Sequence, residues 1–109
     1  MNRMITVTTP TIEGRTIKRT LGLVRGSAIR ARHLGKDIQA FLRAIVGGEL
    51  HEYTKLLAET REQSLDRMVD DAVTLGADAI VSARFATSVI MGGAAEMLAY
   101  GTAVELEPE

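Results

Sequence analysis

Two histidines and no cysteine bound the chemistry open to this chain of 109 residues. Without thiols there is no thiolate nucleophile, no disulfide and no Cys-based zinc site. His51-Glu52 has the opening of a zinc-protease helix motif, but the second histidine belongs at position 55, which is Lys. The pair therefore reads as solvated side chains in a first helical turn. Ser27, Ser64, Ser82 and Ser88 lie in no nucleophile-elbow context, so a hydrolytic triad has no support. For metals the candidates are His33 and Asp37, four apart and on one face if their segment is helical. Two ligands do not hold a structural metal tightly, so acids or a partner subunit would have to complete such a site. Glu59, Glu62, Asp66 and Asp70 would attract hard cations only loosely and read as a solvated helix face. Free amides at Gly47-Gly48 ahead of a helix would attract an anion, yet Glu49 and Glu52 already occupy that field and no Lys-Ser/Thr follows. A helix-helix turn is the plainer reading.

Arg61 breaks its local pattern. Its helical angle places it among Leu57, Leu65 and Met68, and an arginine on a buried stripe must be paired or reach a boundary. Acidic candidates outside its helix are Glu13, Asp78 and Glu96. Arg61, Arg84, Glu96 and Asp78 are accordingly the candidate ligand-binding or interface residues.

The elements that must position these groups follow from hydrophobic period. Met4 to Thr8 has strand composition, and Thr9-Pro10 ends it, because the residue before proline is pushed out of the helical region. Arg15 to Ala28 predicts a longer strand with Ile17, Leu21 and Leu23 on one side; Gly22 and Gly26 mark a bulge or a close backbone approach. Ile38, Phe41, Leu42 and Ile45 fall on one face of a short helix. The spacing from Glu49 to Leu75 predicts a long helix with Gly76 as its left-handed cap, although Asp70 and Asp71 near its C-terminus oppose the macrodipole. Ile80 to Met91 and Ala95 to Leu106, separated by Gly92-Gly93, predict a hairpin in which Phe85 faces Tyr100 and Val81 faces Val104. That register collects Ser82, Arg84, Ala86 and Ser88 with Ala103, Gly101, Ala99 and Met97 on a small-residue face. The expectation is that the long helix takes the other face and a second copy of the chain shields this one, unless a bulge in the hairpin swaps the two assignments.

The composition, 46% apolar and 25% charged, is that of one globular domain spanning 1-109. Net charge is only −1, yet residues 1 to 48 hold nine Lys and Arg against two acids, while residues 49 to 109 hold four against twelve. Opposite halves can meet within one fold or across a subunit boundary, where they would set register and orientation. The basic half could contact nucleic-acid phosphates, but four aromatics supply a poor stacking platform and the balance is not basic, so a nucleic-acid partner is not expected. No stretch approaches the ~20 apolar residues that span a bilayer, and Met1 leads into a strand-like segment rather than a signal-peptide run. A soluble, cytoplasmic protein without a membrane partner is expected.

The segments Thr8-Thr9-Pro10-Thr11-Ile12-Glu13-Gly14, Gly22-Leu23-Val24-Arg25-Gly26, Ile45-Val46-Gly47-Gly48, Leu75-Gly76-Ala77-Asp78-Ala79-Ile80 and Gly101-Thr102-Ala103-Val104, in this order, resemble the YbjQ-like family over nearly the full length. Thr60-Arg61-Glu62 stands where Ala-Arg-Glu is common in that family. The resemblance implies an α+β subunit, YbjQ-like or dodecin-like, with an antiparallel-rich sheet packed on one long and one short helix. It also implies a homopentameric ring whose extra strands pair between subunits. The family carries a heavy-metal-binding label but no known activity, and soft-metal capture through thiolates is impossible in a chain without Cys. The function expected is therefore a non-enzymatic ring with itself as partner, holding a small ligand or metal ion at subunit boundaries. The alternatives are an enzyme with a composite site near Arg61 and the Arg30 to Lys36 link, or nucleic-acid contact through the basic half. No cofactor is specified.

Overall fold

A computed structural model describes residues 4–30, 51–90 and 94–109. The chain forms β1 (Ile5–Thr6), β2 (Ile17–Arg30), α1 (His51–Thr74), β3 (Ala79–Ile90) and β4 (Ala94–Leu106). The strands make one sheet in the order β1-β3-β4-β2. It is mixed: β1 runs parallel to β3, and β3–β4 and β4–β2 are antiparallel. This is an α+β fold. The short helix expected around 38–45, with His33, Asp37, Gly47-Gly48 and the Gly92-Gly93 turn, lies outside the described residues.

The helix ends as its sequence predicts. Gly76 sits at φ 74°, its N–H donates to the Val73 carbonyl at 2.9 Å, and the Ala77 N–H reaches back to Ala72 at 3.1 Å. These are the paired bonds of a Schellman cap, which satisfies carbonyls that the helix itself cannot.

The face assignments of the hairpin need correction. Phe85 pairs with Ala99, not Tyr100, and Val81 pairs with Thr102, not Val104. Ile90 opposite Ala94 sets the outer register, and a bulge between Val81 and Arg84 shifts it by one more residue towards the start of β3. Because side chains alternate along a strand, such slips regroup every pair. Met97, Ala99, Gly101 and Ala103 do share a face, but their β3 neighbours there include Ile80 and Phe85. Arg84, Ala86 and Ser88 instead stand on the opposite face beside Tyr100, Leu98 and Glu96.

The expected covering is also reversed. The long helix of the same chain lies on the small-residue face, where Met68 and Ala72 pack with Val24, Ile80, Ala83, Ala99 and Ala103. The reason is distance. A Cβ on Gly26 would fall 2.7 Å from the Arg67 carbonyl carbon and nearer still to backbone atoms of Ser64 and Met68, so strand and helix backbones touch there. Only small side chains allow that approach, which turns the alanines and glycines into the seat of the helix rather than a surface reserved for another copy.

On the other face the N-terminal segment folds over one end of the sheet: Val7, Ile12 and Ile17 pack on Ala79, Val81, Val104 and Leu106. Bulges between Ile17 and Arg19 and between Thr20 and Gly22 re-aim β2, with Gly22 at φ 135°. Leu21 consequently packs against the helix-side core, while Leu23, expected on the same side as Leu21, is 66% exposed. Among the described residues Ser82, in the β3 bulge, is the non-glycine residue at positive φ, 53°. An L-residue held there costs about 1–2 kcal/mol.

Candidate functional site

The face of the sheet away from the helix is organised in cross-strand rows. Leu23 lies opposite Thr102; Arg25, Tyr100 and Arg84 form the next row; Ser27, Leu98 and Ala86 the next; Ile29, Glu96 and Ser88 the one after. Neighbours in such a row stand about 4.5–5.5 Å apart. Arg84 is tied down by two bonds from one terminal nitrogen, to the carbonyls of Thr8 and Ala83, each at 2.8 Å. Thr8 is in position because the segment after β1 hugs the bulge: the Ser82 N–H donates to Thr9 and the Ala83 N–H to Val7, both at 2.9 Å.

The candidates that residue type and spacing single out do not gather. Arg61 is exposed on α1 rather than buried in its stripe. The buried stripe consists of Thr60, Ser64, Met68 and Ala72, with the Ser64 hydroxyl satisfied by the Arg61 carbonyl at 2.8 Å. Asp78 accepts from the Leu106 N–H at 2.8 Å and so closes the end of β4. Arg84 and Glu96 share the outer face but stand in rows separated by Leu98. His33 and Asp37 lie outside the described residues. Arg25 and Tyr100, which sequence reasoning passed over, become neighbours of Arg84 only through the observed register. The signal that could have found them was the possibility of a bulge.

Asp71, whose place near the helix C-terminus opposes the dipole, has a structural role: its carboxylate accepts the Arg25 backbone N–H at 3.1 Å. One turn earlier Arg67 donates to the Ser27 carbonyl at 2.6 Å. Both occupy backbone groups of β2 that face away from β4, so the helix guards that edge against foreign strands. Near the other end of β2, Glu105 binds Arg19 at 3.0 Å and Lys18 at 3.4 Å. The Arg19 hydrogen bond and charge, and then Lys18, hold the Glu105 carboxyl below its ordinary value.

A shallow cavity of about 420 Å³ on the helix is lined by Ala58, Glu59, Glu62, Gln63 and Asp66. Among the described residues no three His, Cys, Asp or Glu side chains converge as metal ligands, and no helix is long and apolar enough to cross a membrane.

Among the described residues, a mixed four-stranded sheet with one long helix on one face defines the class: a small α+β domain. The same fold occurs in a crystal structure of a protein of unknown function of the DUF74 family from Pediococcus pentosaceus, with a TM-score of 0.69 and 16% identity, covering 95% of this chain and 98% of that one. The chain itself belongs to the YbjQ_1 family, described as putative heavy-metal-binding, whose family model matches residues 4–107. It is 60% identical over 103 residues to a UPF0145 protein of Methanosarcina acetivorans, covering 94% of this chain and 97% of the relative. A UPF0145 protein of Pyrococcus furiosus is 54% identical over 109 residues, covering 100% and 96%. The heavy metal of the family description finds no fitting donor set among the described residues: thiols are absent, and the acids there do not converge.

Proposed function

We propose that this protein is a cytoplasmic, non-enzymatic ring subunit that assembles with copies of itself, as a pentamer by family resemblance, and holds a small ligand or ion where subunits meet. The observation that carries this reading is an open sheet edge. β1 pairs only with Ala79 and Ile80, and bonds from the following segment extend no further than Ala83. From Arg84 to Ile90 the outer edge of β3 therefore has no strand partner among the described residues. An unpaired edge of this length invites another chain. On β2 the Arg25 N–H and the Ser27 carbonyl are taken by Asp71 and Arg67, which makes β3 the more accessible edge among the described residues.

Three further features support a second copy as the occupant. Phe85 at the open edge is 45% exposed, and Leu23 and Ile29 on β2 are 66% and 57% exposed, an apolar display that an isolated protomer wets at a loss. The radius of gyration is 17.3 Å; a compact domain of this length has about 13 Å. The basic and acidic halves complement each other electrostatically. Closed rings remove edges by pairing each open strand with the next subunit.

Size-exclusion chromatography with light scattering tests the reading. The chain is 11.8 kDa, so a pentamer weighs about 59 kDa. A discrete multimer at micromolar concentration is expected, and a stable monomer overturns the proposal. Native mass spectra of protein purified without chelators then show whether any metal or small molecule is retained.

A further inference from the structure

We propose that Arg25, Tyr100 and Arg84 form a binding site for a small oxyanion on the outer face of the sheet. The inference names a ligand class for the reading above and rests on it only for the idea that a ligand is held; all three residues belong to one protomer.

The chemistry of the row is one-sided. Two arginines flank a tyrosine, each residue the direct cross-strand neighbour of the next. Guanidinium groups donate and never accept, and a phenol can donate. No carboxylate pairs with either arginine side chain among the described residues, and the Tyr100 hydroxyl has no hydrogen-bond partner there. Among the strand residues of this face, Glu96 stands beyond the Leu98 row. A ligand that fits must be acceptor-rich and negative, as phosphate and carboxylate are.

The fold also prepares the site. Arg84 binds the Thr8 and Ala83 carbonyls through a single terminal nitrogen, which anchors the guanidinium beside the N-terminal segment at the edge of β3, and its other N–H groups have no partner among the described residues. The bulge explains why Arg84 is there at all. Without the extra residue between Val81 and Arg84, strict alternation from Ile80 would turn Arg84 to the helix side. A backbone strained at Ser82, φ 53°, thus sits where its effect is to bring the second arginine to Tyr100.

Calorimetric titration of the full chain at low ionic strength, with inorganic phosphate in one arm and succinate in the other, tests the site. Saturable binding is expected in at least one arm. Preference for phosphate identifies phosphorylated ligands as the source of the oxyanion, and preference for succinate identifies carboxylic acids. Arg84→Gln and Arg25→Gln should each weaken binding by about tenfold, the loss of a charge-assisted contact, and Tyr100→Phe by about threefold. Arg19→Gln removes the same charge from a residue already paired with Glu105 and should leave affinity unchanged. Equal binding by wild type and the Arg84, Arg25 and Tyr100 variants, or no saturable binding at ~10 mM anion, overturns the proposal. Should Arg84→Gln disturb the bulge, the Arg25 and Tyr100 variants still decide. Light scattering on the same samples separates the two readings: a monomer that binds with this variant pattern defeats the ring and leaves the site standing, and a ring that binds no anion does the reverse.

Discussion

Replacing Gly26 with alanine puts one methyl group where helix and sheet backbones meet. The new Cβ would lie 2.7 Å from the Arg67 carbonyl carbon and closer to the Met68 amide and the Ser64 carbonyl oxygen. Carbon contacts relax only near 3.5–4.0 Å, so α1 must lift by about 1 Å. None of these atoms belongs to a side chain that could rotate away. The lift loosens Met68 and Ala72 against Val24, Ala99 and Ala103, all buried. Overpacking costs about 1–3 kcal/mol where side chains absorb it. Here the backbone absorbs it, so about 3 kcal/mol is expected. The lost glycine freedom in the unfolded chain returns at most about 1 kcal/mol. A net loss of about 2–3 kcal/mol, from a total of about 5–15 for a domain of this size, lowers Tm by roughly 10–20 °C. Gly101→Ala is the comparison: its Cβ meets a methyl of Ile80 at 2.7 Å and the Val81 carbonyl oxygen at 3.1 Å, so side-chain adjustment takes part of the load and about half the loss is expected. Thermal unfolding followed by circular dichroism, at one protein concentration, measures both. A Gly26→Ala protein within about 0.5 kcal/mol of wild type would refute the claim that this contact sets the height of the helix.

Other consequences follow from the same geometry. Phe85→Lys and Leu23→Lys replace apolar side chains already 45% and 66% exposed, so each protomer should keep its helix signal in circular dichroism while light scattering shows the multimer falling to monomer; an unchanged multimer removes these faces from the interface. Ser82→Val places a β-branched residue at φ 53° and should cost about 2 kcal/mol in urea unfolding, whereas Ser82→Gly should cost nothing or stabilise slightly. Glu105 has its folded-state pKa depressed by Arg19 and Lys18, so its contribution is present above the ordinary value of about 4.3 and disappears as pH falls through the lower folded value. Glu105→Gln should therefore be less stable than wild type at neutral pH and converge with it in acid; a gap that persists below that range would show the effect is not ionic. Asp71→Ala, which frees the Arg25 N–H on the guarded edge, should raise the proportion of large, ill-defined aggregates in light scattering; an unchanged size distribution would show that Asp71 does not protect this edge.

The long helix was legible because its signals are local: apolar residues recur at helical spacing and Gly76 completes the cap within two residues of the helix end. Strand positions were legible for the same reason, and Gly26 announced the close approach it makes. The absence of thiols closed off soft-metal chemistry at once. What needed the tertiary structure was every property that depends on counting across strands. A single inserted residue at Ser82-Ala83 changes which side chains share a face, and periodicity within one strand carries no trace of it. The row of Arg25, Tyr100 and Arg84 exists only after that count is made, from residues spread over three strands. The choice of which sheet face the helix covers was likewise tertiary. Hydropathy ranks faces by size and polarity, but the close approach at Gly26 lets small residues seat the helix backbone, and that preference is set by distance.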